Sequence, residues 1–276
     1  MKTKSPSISV IISTYNAVEW LTKVLWSYAI QTTNDFELII ADDGSDLETK
    51  SCVDRFTKDF PVSIIHVWHE DNGFQKSKIL NKAIKECNAD YILMSDGDCI
   101  AKRDFVQTHI DNREIGYFLS GGYFKLSLSI SQQITKSDIE SQNCFNIDWL
   151  KERGLKSSFK NNKLTSKGLK EKFLNYITPT NASWNGHNAS GWKKDILTVN
   201  GFDERMQYGG QDRELGERLL NLGIKSKQIR YSALCLHLDH PRGYKTIESL
   251  ERNVAIRKNT QKSKSVYTSY GIKKEN

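Results

Sequence analysis

The sequence predicts an α/β protein: a mostly parallel sheet flanked by helices, with a helical subdomain inserted later in the chain. Three observations carry that reading. The first hundred residues alternate between short apolar runs and amphipathic stretches, as βαβ units do. The first run, Ile8 to Ser13, has no polar face, so both of its faces should be covered. A later run, Tyr91-Ile92-Leu93-Met94, closes on Ser95-Asp96-Gly97-Asp98. That places carboxylates at the carboxyl end of a buried strand, where open α/β sheets bind ligands.

The elements follow in order. After the first strand, Asn16 is positioned to cap a helix from about Ala17 to Ala29, with Val18, Leu21, Leu25 and Tyr28 at helical spacing. Phe36 to Ala41 reads as a second buried strand, and a helix is expected over about Leu47 to Thr57. Val62 to Val67 is a third strand. Ser77 to Cys87 is an amphipathic helix with Ile79, Leu80, Ala83 and Ile84 inward. Beyond Asp98 the pattern changes. Phe118 to Leu126 is aromatic and β-prone. About 134–176 is polar, basic and helical in propensity, with turns expected at Gly154 and near Asn161-Asn162. Thr178 to Asp212 is rich in Gly, Asn and Trp, as loops around a site are. Glu214 to Leu222 reads as a helix and Arg230 to Leu238 as a late strand. The end is expected to be a frayed or lightly docked tail. In domain terms, 1–262 is expected to be one domain, with halves 1–100 and 101–262, the second carrying the insertion at about 134–176; 263–276 is expected to be the tail.

The chain has 276 residues, 38% hydrophobic and 26% charged, values of a globular protein with a full core. Its net charge of +7 favours anionic partners. No recognised nucleic-acid motif accompanies that charge, so no nucleic-acid partner is expected. No long uncharged apolar stretch exists, so no transmembrane helix is expected. The five cysteines are scattered and form no CxxC pair, which suits reduced thiols in a cytoplasmic protein. Two glycosylation sequons, Asn181-Ala182-Ser183 and Asn188-Ala189-Ser190, carry no meaning in that compartment.

Hard carboxylate oxygens at a strand end suit Mg²⁺ or Mn²⁺ shared with substrate phosphates. A second cluster, Ser13-Thr14-Tyr15-Asn16 with Asp42-Asp43-Gly44-Ser45, lies at the same edge. There a backbone turn can cradle a nucleobase, and a carboxylate can accept hydrogen bonds from a base or ribose. As plain turn chemistry, either cluster alone would signify little.

Together with Asn72-Gly73, Asn81 and Asp96-Gly97-Asp98, these segments stand in the order and spacing of family 2 glycosyltransferases, which the first hundred residues resemble. The resemblance implies an inverting enzyme of GT-A fold, a Rossmann-like mostly parallel sheet flanked by helices. Ser13 stands where that family usually has Pro. The family pattern implies nucleotide contacts from Thr14, Tyr15, Asn16, Asp43, Asn72, Lys78 and Asp96, with Asp98 ligating the metal. A second stretch, Trp184-Asn185-Gly186-His187-Asn188-Ala189-Ser190, then Asn200-Gly201-Phe202-Asp203, then Tyr208-Gly209-Gly210-Gln211-Asp212, resembles the β-1,4-galactosyltransferase family and bacterial chondroitin-type polymerases. Asp212 falls on that pattern's catalytic base. Gln211 replaces a Glu and Tyr208 a Trp, which bears on the sugars accepted.

The resemblance assigns sugar and acceptor contacts to Trp184, Gly186, Tyr208, Gly210 and Gln211. In His237-Leu238-Asp239-His240, strand alternation favours His237 as a further metal ligand, with His240 the substitute. Arg242, Lys245, Arg252 and Arg257 form either a lid over a diphosphate or an exposed helix face. The expected partners are a nucleotide-sugar donor, most simply UDP-linked, and a glycan or lipid-linked glycan acceptor for a bacterial surface polymer. Peripheral contact at the cytoplasmic face of the inner membrane is expected with them. Two alternatives are a nucleotidyltransferase, whose usual Gly-rich phosphate loop is missing, and a non-catalytic sugar-nucleotide-binding module, which the intact Asp98 and Asp212 oppose.

Overall fold

A computed structural model describes residues 5–240 and 246–274. The N-terminal elements are strands β1 (Ile8–Thr14), β2 (Phe36–Asp42), β3 (Ile64–Trp68) and β4 (Tyr91–Asp96), linked by helices α1 (Val18–Ala29), α2 (Leu47–Asp59) and α3 (Lys76–Glu86). They pair in the order β3-β2-β1-β4, all parallel. Ile8, Val10 and Ile12 pack on Leu21, Val24 and Leu25 of α1. Ile11, pointing the other way, packs with Ile79, Leu80, Ala83 and Ile84 of α3. A strand apolar on both faces is therefore covered on both, as its composition requires.

The middle of the chain supplies β5 (Cys99–Ala101), α4 (Phe105–Asn112), β6 (Tyr117–Ser120), β7 (Gly122–Lys125) and α5 (Leu128–Gln133). Then come the short helices α6 (Lys136–Glu140), α7 (Ile147–Glu152), α8 (Asn162–Thr165) and α9 (Gly168–Ile177). The last part holds β8 (Ala189–Trp192), α10 (Lys193–Thr198), α11 (Gln211–Asn221), β9 (Lys225–Gln228), β10 (Leu234–His237) and α12 (Ile247–Ser263). Strand β8 runs antiparallel between β4 and β6, and β9 is parallel to β6, completing a seven-stranded sheet. A second, three-stranded sheet has the order β5-β10-β7. The insertion packs its Ile139, Cys144, Phe145 and Leu150 against Ile100, Phe124, Leu234 and Leu236 of that small sheet.

Several local expectations change. Asn16 does not cap α1; Ala17 holds that position without a side-chain bond. Asn16 instead joins strand ends, donating its N–H to Ser45 Oγ (2.9 Å) and accepting from Asp46 N (3.0 Å). Asn161-Asn162 is helical rather than a turn. The end of the chain is docked. Asn200 Nδ2 donates to the carbonyls of Thr268 and Lys273 (2.7 and 2.9 Å), and Thr268 Oγ1 donates to Asp203 (2.9 Å). Asn188 and Ser190 of the second sequon are fully buried. All five cysteines are free and buried. No described helix is long and apolar enough to cross a membrane.

Candidate active site

The register of the large sheet builds one wall of the site. Ser13 of β1 stands opposite Asp96 of β4, and Thr14 opposite Asp42 of β2. Their ends open into a cleft of about 1070 Å³. The opposite wall comes from the loop before β8, the start of α11 and the inner side of α12.

Asp42 and Asp43 divide their work. Asp42 is buried and holds the loop, accepting from Ser45 N (2.8 Å) and pairing with His66 Nε2 (2.9 Å). Asp43 faces the cleft, pairs with His69 Nε2 (2.8 Å) and accepts from Gln75 N (2.9 Å). Burial raises its carboxyl above the usual range, and the His69 and Gln75 bonds offset that in part. Tyr15 lies half-exposed at the rim, its hydroxyl donating to Asp71 (2.9 Å). Thr14 Oγ1 is buried and makes no hydrogen bond.

Asp96 accepts from Ser13 Oγ (2.7 Å) and pairs with Lys76 Nζ (2.6 Å). Burial acts to raise its carboxyl, but the Lys76 ammonium and the Ser13 hydroxyl outweigh burial and hold it well below the usual carboxylate range. The serine that stands in the proline position thus gains a bond to the first acidic residue of the tripeptide. Lys76 was not foreseen. Helix α3 begins one residue earlier than the sequence suggested, and its first residue, Lys76, lines the cleft, while Lys78 is exposed outside it. Asn72 is likewise an exposed turn residue beyond the cleft lining.

Asp98 sits where the two sheets meet, its carbonyl accepting from Leu238 N (2.9 Å). Asp98 Oδ2 lies 2.9 Å from His240 Nε2 and 3.7 Å from His237 Nε2. Asp98, Cys99 and His237 offer donor atoms within 4.8 Å of one another. His237 Nδ1 donates to Leu238 O (2.9 Å), so its Nε2 keeps a lone pair facing Asp98. One carboxylate and one or two imidazoles are donors that suit Mn²⁺, so the residues fit a divalent metal.

Asp212 lies in the first turn of α11, one residue inside the helix rather than capping it; Gly210 holds the cap position. Its Oδ2 accepts from Gly186 N (3.0 Å). A Cβ on Gly186 would stand 3.9 Å from both Asp212 Oδ2 and Lys76 Nζ, so Gly186 keeps the space between them open. Gly209 and Gly210 take φ of 106° and 87°, a left-handed backbone that favours glycine. The loop is pinned by Asn253 of α12, which donates to the carbonyls of Gln207, Tyr208 and Gly209. Gln211 lines the cleft, but its Oε1 accepts from Gly209 N (3.0 Å). Tyr208 lines it edge-on to Phe74, with ring centroids 6.0 Å apart.

Trp184 is no sugar platform. It is fully buried against Phe118, in space left by Gly191 and Gly216. His187 occupies the cleft instead, its ring 4.6 Å from Tyr123 and 6.3 Å from His237. Burial pushes its pKa down to about 4, so it is neutral near pH 7. Lys76, His187 and Asn253 escaped the sequence reading. His187 had a signal, its place directly after Gly186; Asn253 had none. Arg252 is exposed outside the cleft, and Arg257 lines it while paired with Glu217. Arg242 and Lys245 lie outside the described residues.

This architecture, with acidic residues at the strand ends of a mostly parallel sheet, is the GT-A glycosyltransferase fold. It matches S. aureus TarS 1-349 in complex with UDP-GlcNAc at a TM-score of 0.60 and 15% identity, covering 94% of this chain and 69% of that one. The Pyrobaculum calidifontis mannosyltransferase PcManGT, in complex with GDP-Man and Mn²⁺, matches at 0.57 and 16% identity, covering 88% and 59%. Within that class, residues 9–118 match the model of Glycosyl transferase family 2. An uncharacterized glycosyltransferase of Bacillus subtilis, YfnE, is 26% identical over 272 residues, 90% of this chain and 68% of that protein. A chondroitin synthase of Pasteurella multocida is also 26% identical, over 80% of this chain, which spans only 23% of that protein.

Proposed function

We propose that the protein transfers a hexosyl or N-acetylhexosaminyl group from a UDP-sugar to a glycan acceptor, with inversion, in the synthesis of a bacterial surface polysaccharide. The observation that carries this is the convergence in one cleft of the Asp98-His237-His240 cluster, the Lys76-Asp96 pair and Asp212. The UDP-GlcNAc complex of TarS and the matches to chondroitin synthases support the donor and polymer class.

In this reading Tyr15, Asp43 and the unpaired Thr14 hydroxyl receive the nucleoside. Asp98 with His237, or His240, holds Mn²⁺ or Mg²⁺. When bound, such an ion neutralises charge on the departing diphosphate. Lys76 adds a fixed ammonium on the same side. Asp212 accepts the proton of the acceptor hydroxyl as it attacks the anomeric carbon. Its Oδ2 is held by Gly186 N and its Oδ1 by Arg213 N, so the carboxylate is aimed before the acceptor arrives. Tyr208 and Phe74 offer the aromatic surface that the buried Trp184 does not. The cytoplasm is the compartment in which such donors would be met.

A thermal-shift panel of nucleoside diphosphates with Mn²⁺ tests the donor class. Ligand at a hundredfold excess over Kd stabilises the native state by about 2.7 kcal/mol. UDP should raise the melting temperature in Mn²⁺ and much less in chelator. A shift with GDP or a deoxynucleotide alone would contradict the UDP assignment.

A further inference from the structure

Helix α9 buries one apolar side chain, Leu174, and its Glu171 and Asn175 also face the protein. Asn175 Oδ1 accepts from Tyr231 N (2.8 Å), its Nδ2 donates to Ser232 Oγ (2.8 Å), and Ser232 Oγ donates to Glu171. The opposite stripe is apolar and open to solvent: Leu169 is 86% exposed, Phe173 59% and Tyr176 89%. These residues stand at i, i+4 and i+7, one continuous helical face. Ile177, next to Tyr176, is also exposed, as is Phe159 in the turn before α8.

The segment that carries the stripe has charge of almost one sign. Residues 156–172 contain Lys156, Lys160, Lys163, Lys167, Lys170 and Lys172, against the single acid Glu171, which faces inward. An exposed apolar stripe with aromatics in a lysine-rich segment has the composition of a helix lying in a lipid interface. A second copy of the chain would bring the same positive charge to the contact. The segment also adjoins the cleft: Lys163 Nζ donates to Tyr123 O (2.9 Å), and Tyr123 packs on His187 and His237.

We infer that the α8–α9 face docks on an anionic phospholipid surface, presenting the cleft to acceptors carried in that membrane. The docking rests on surface residues alone. Only its consequence for the acceptor rests on the transferase reading, so the two can fail separately.

Vesicle flotation tests it. The protein should float with phosphatidylglycerol vesicles and not with phosphatidylcholine, and binding should weaken as salt screens the lysines. The triple variant Leu169→Ser, Phe173→Ser, Tyr176→Ser should bind at least about tenfold more weakly. Because these side chains are exposed, its circular dichroism and melting temperature should match those of the parent. Asp212→Asn should bind vesicles like the parent even if transfer is lost. Three outcomes would overturn the inference: no flotation with anionic vesicles, equal binding by the triple variant, or a solution dimer that the triple variant dissolves.

Discussion

At the residue scale, few side chains perform each task. Asp212 has its oxygens held by Gly186 N and Arg213 N and lines the cleft with Lys76. Asp212→Asn keeps the size and loses the proton acceptor, so kcat should fall by about 10²–10⁴-fold. Donor affinity should barely change. A near-normal kcat with a lowered melting temperature would make Asp212 a helix-end residue only. The histidines divide differently. His237 Nδ1 is committed to the Leu238 carbonyl, whereas His240 Nε2 already contacts Asp98. His237→Ala should raise the metal concentration needed for half-maximal activity more than His240→Ala does; the reverse order would exchange the assignment.

At the element scale a buried polar chain ties the sheets to α4. Tyr91 donates to Ser190, Ser190 to His109 Nδ1, His109 Nε2–H to Asn188, and Asn188 to the carbonyls of Gly122 and Ala233. Each group finds a partner only if His109 is neutral. Burial pushes its pKa down from 6.5 to about 4. Unfolding therefore takes up a proton between those values. The contribution is fully present above pH 6.5 and is lost as pH falls towards 4, on the order of 3 kcal/mol. Urea unfolding at pH 7 and pH 5 should show a steeper loss for the parent than for His109→Gln; parallel losses would contradict this. Asp98 and Asp212 were legible in the sequence because each sits in a short motif whose spacing needs no tertiary knowledge. Strands β8 and β9 were not. Lys225-Ser226-Lys227-Gln228 carries no apolar pattern and is a strand only because β6 pairs with it. Trp184 was misread because Gly191 and Gly216, distant in sequence, open the space that buries it. Lys78 was expected at the nucleotide, but it is exposed on α3, while Lys76, two residues earlier, reaches Asp96.

At the scale of the whole molecule, two sheets meet at Asp98, and α12 braces the acceptor loop from the far side. Neither half of the chain completes the site alone: β1, β2 and β4 bring the wall with Asp43 and Asp96, β10 and α11 bring His237 and Asp212, and α12 closes the far side with Leu250, Val254 and Arg257. The proposed reaction at this joint surface is cleavage of a sugar from a nucleoside diphosphate with metal held at Asp98. Release of UDP from a panel of labelled UDP-sugars, followed with Mn²⁺ and with chelator, tests it most directly. Release from at least one donor is expected from the parent in Mn²⁺, with near-complete loss in chelator and in a folded Asp98→Asn variant. Release that persists in chelator or in Asp98→Asn, or no release from any donor in Mn²⁺ with its acceptor supplied, would contradict it.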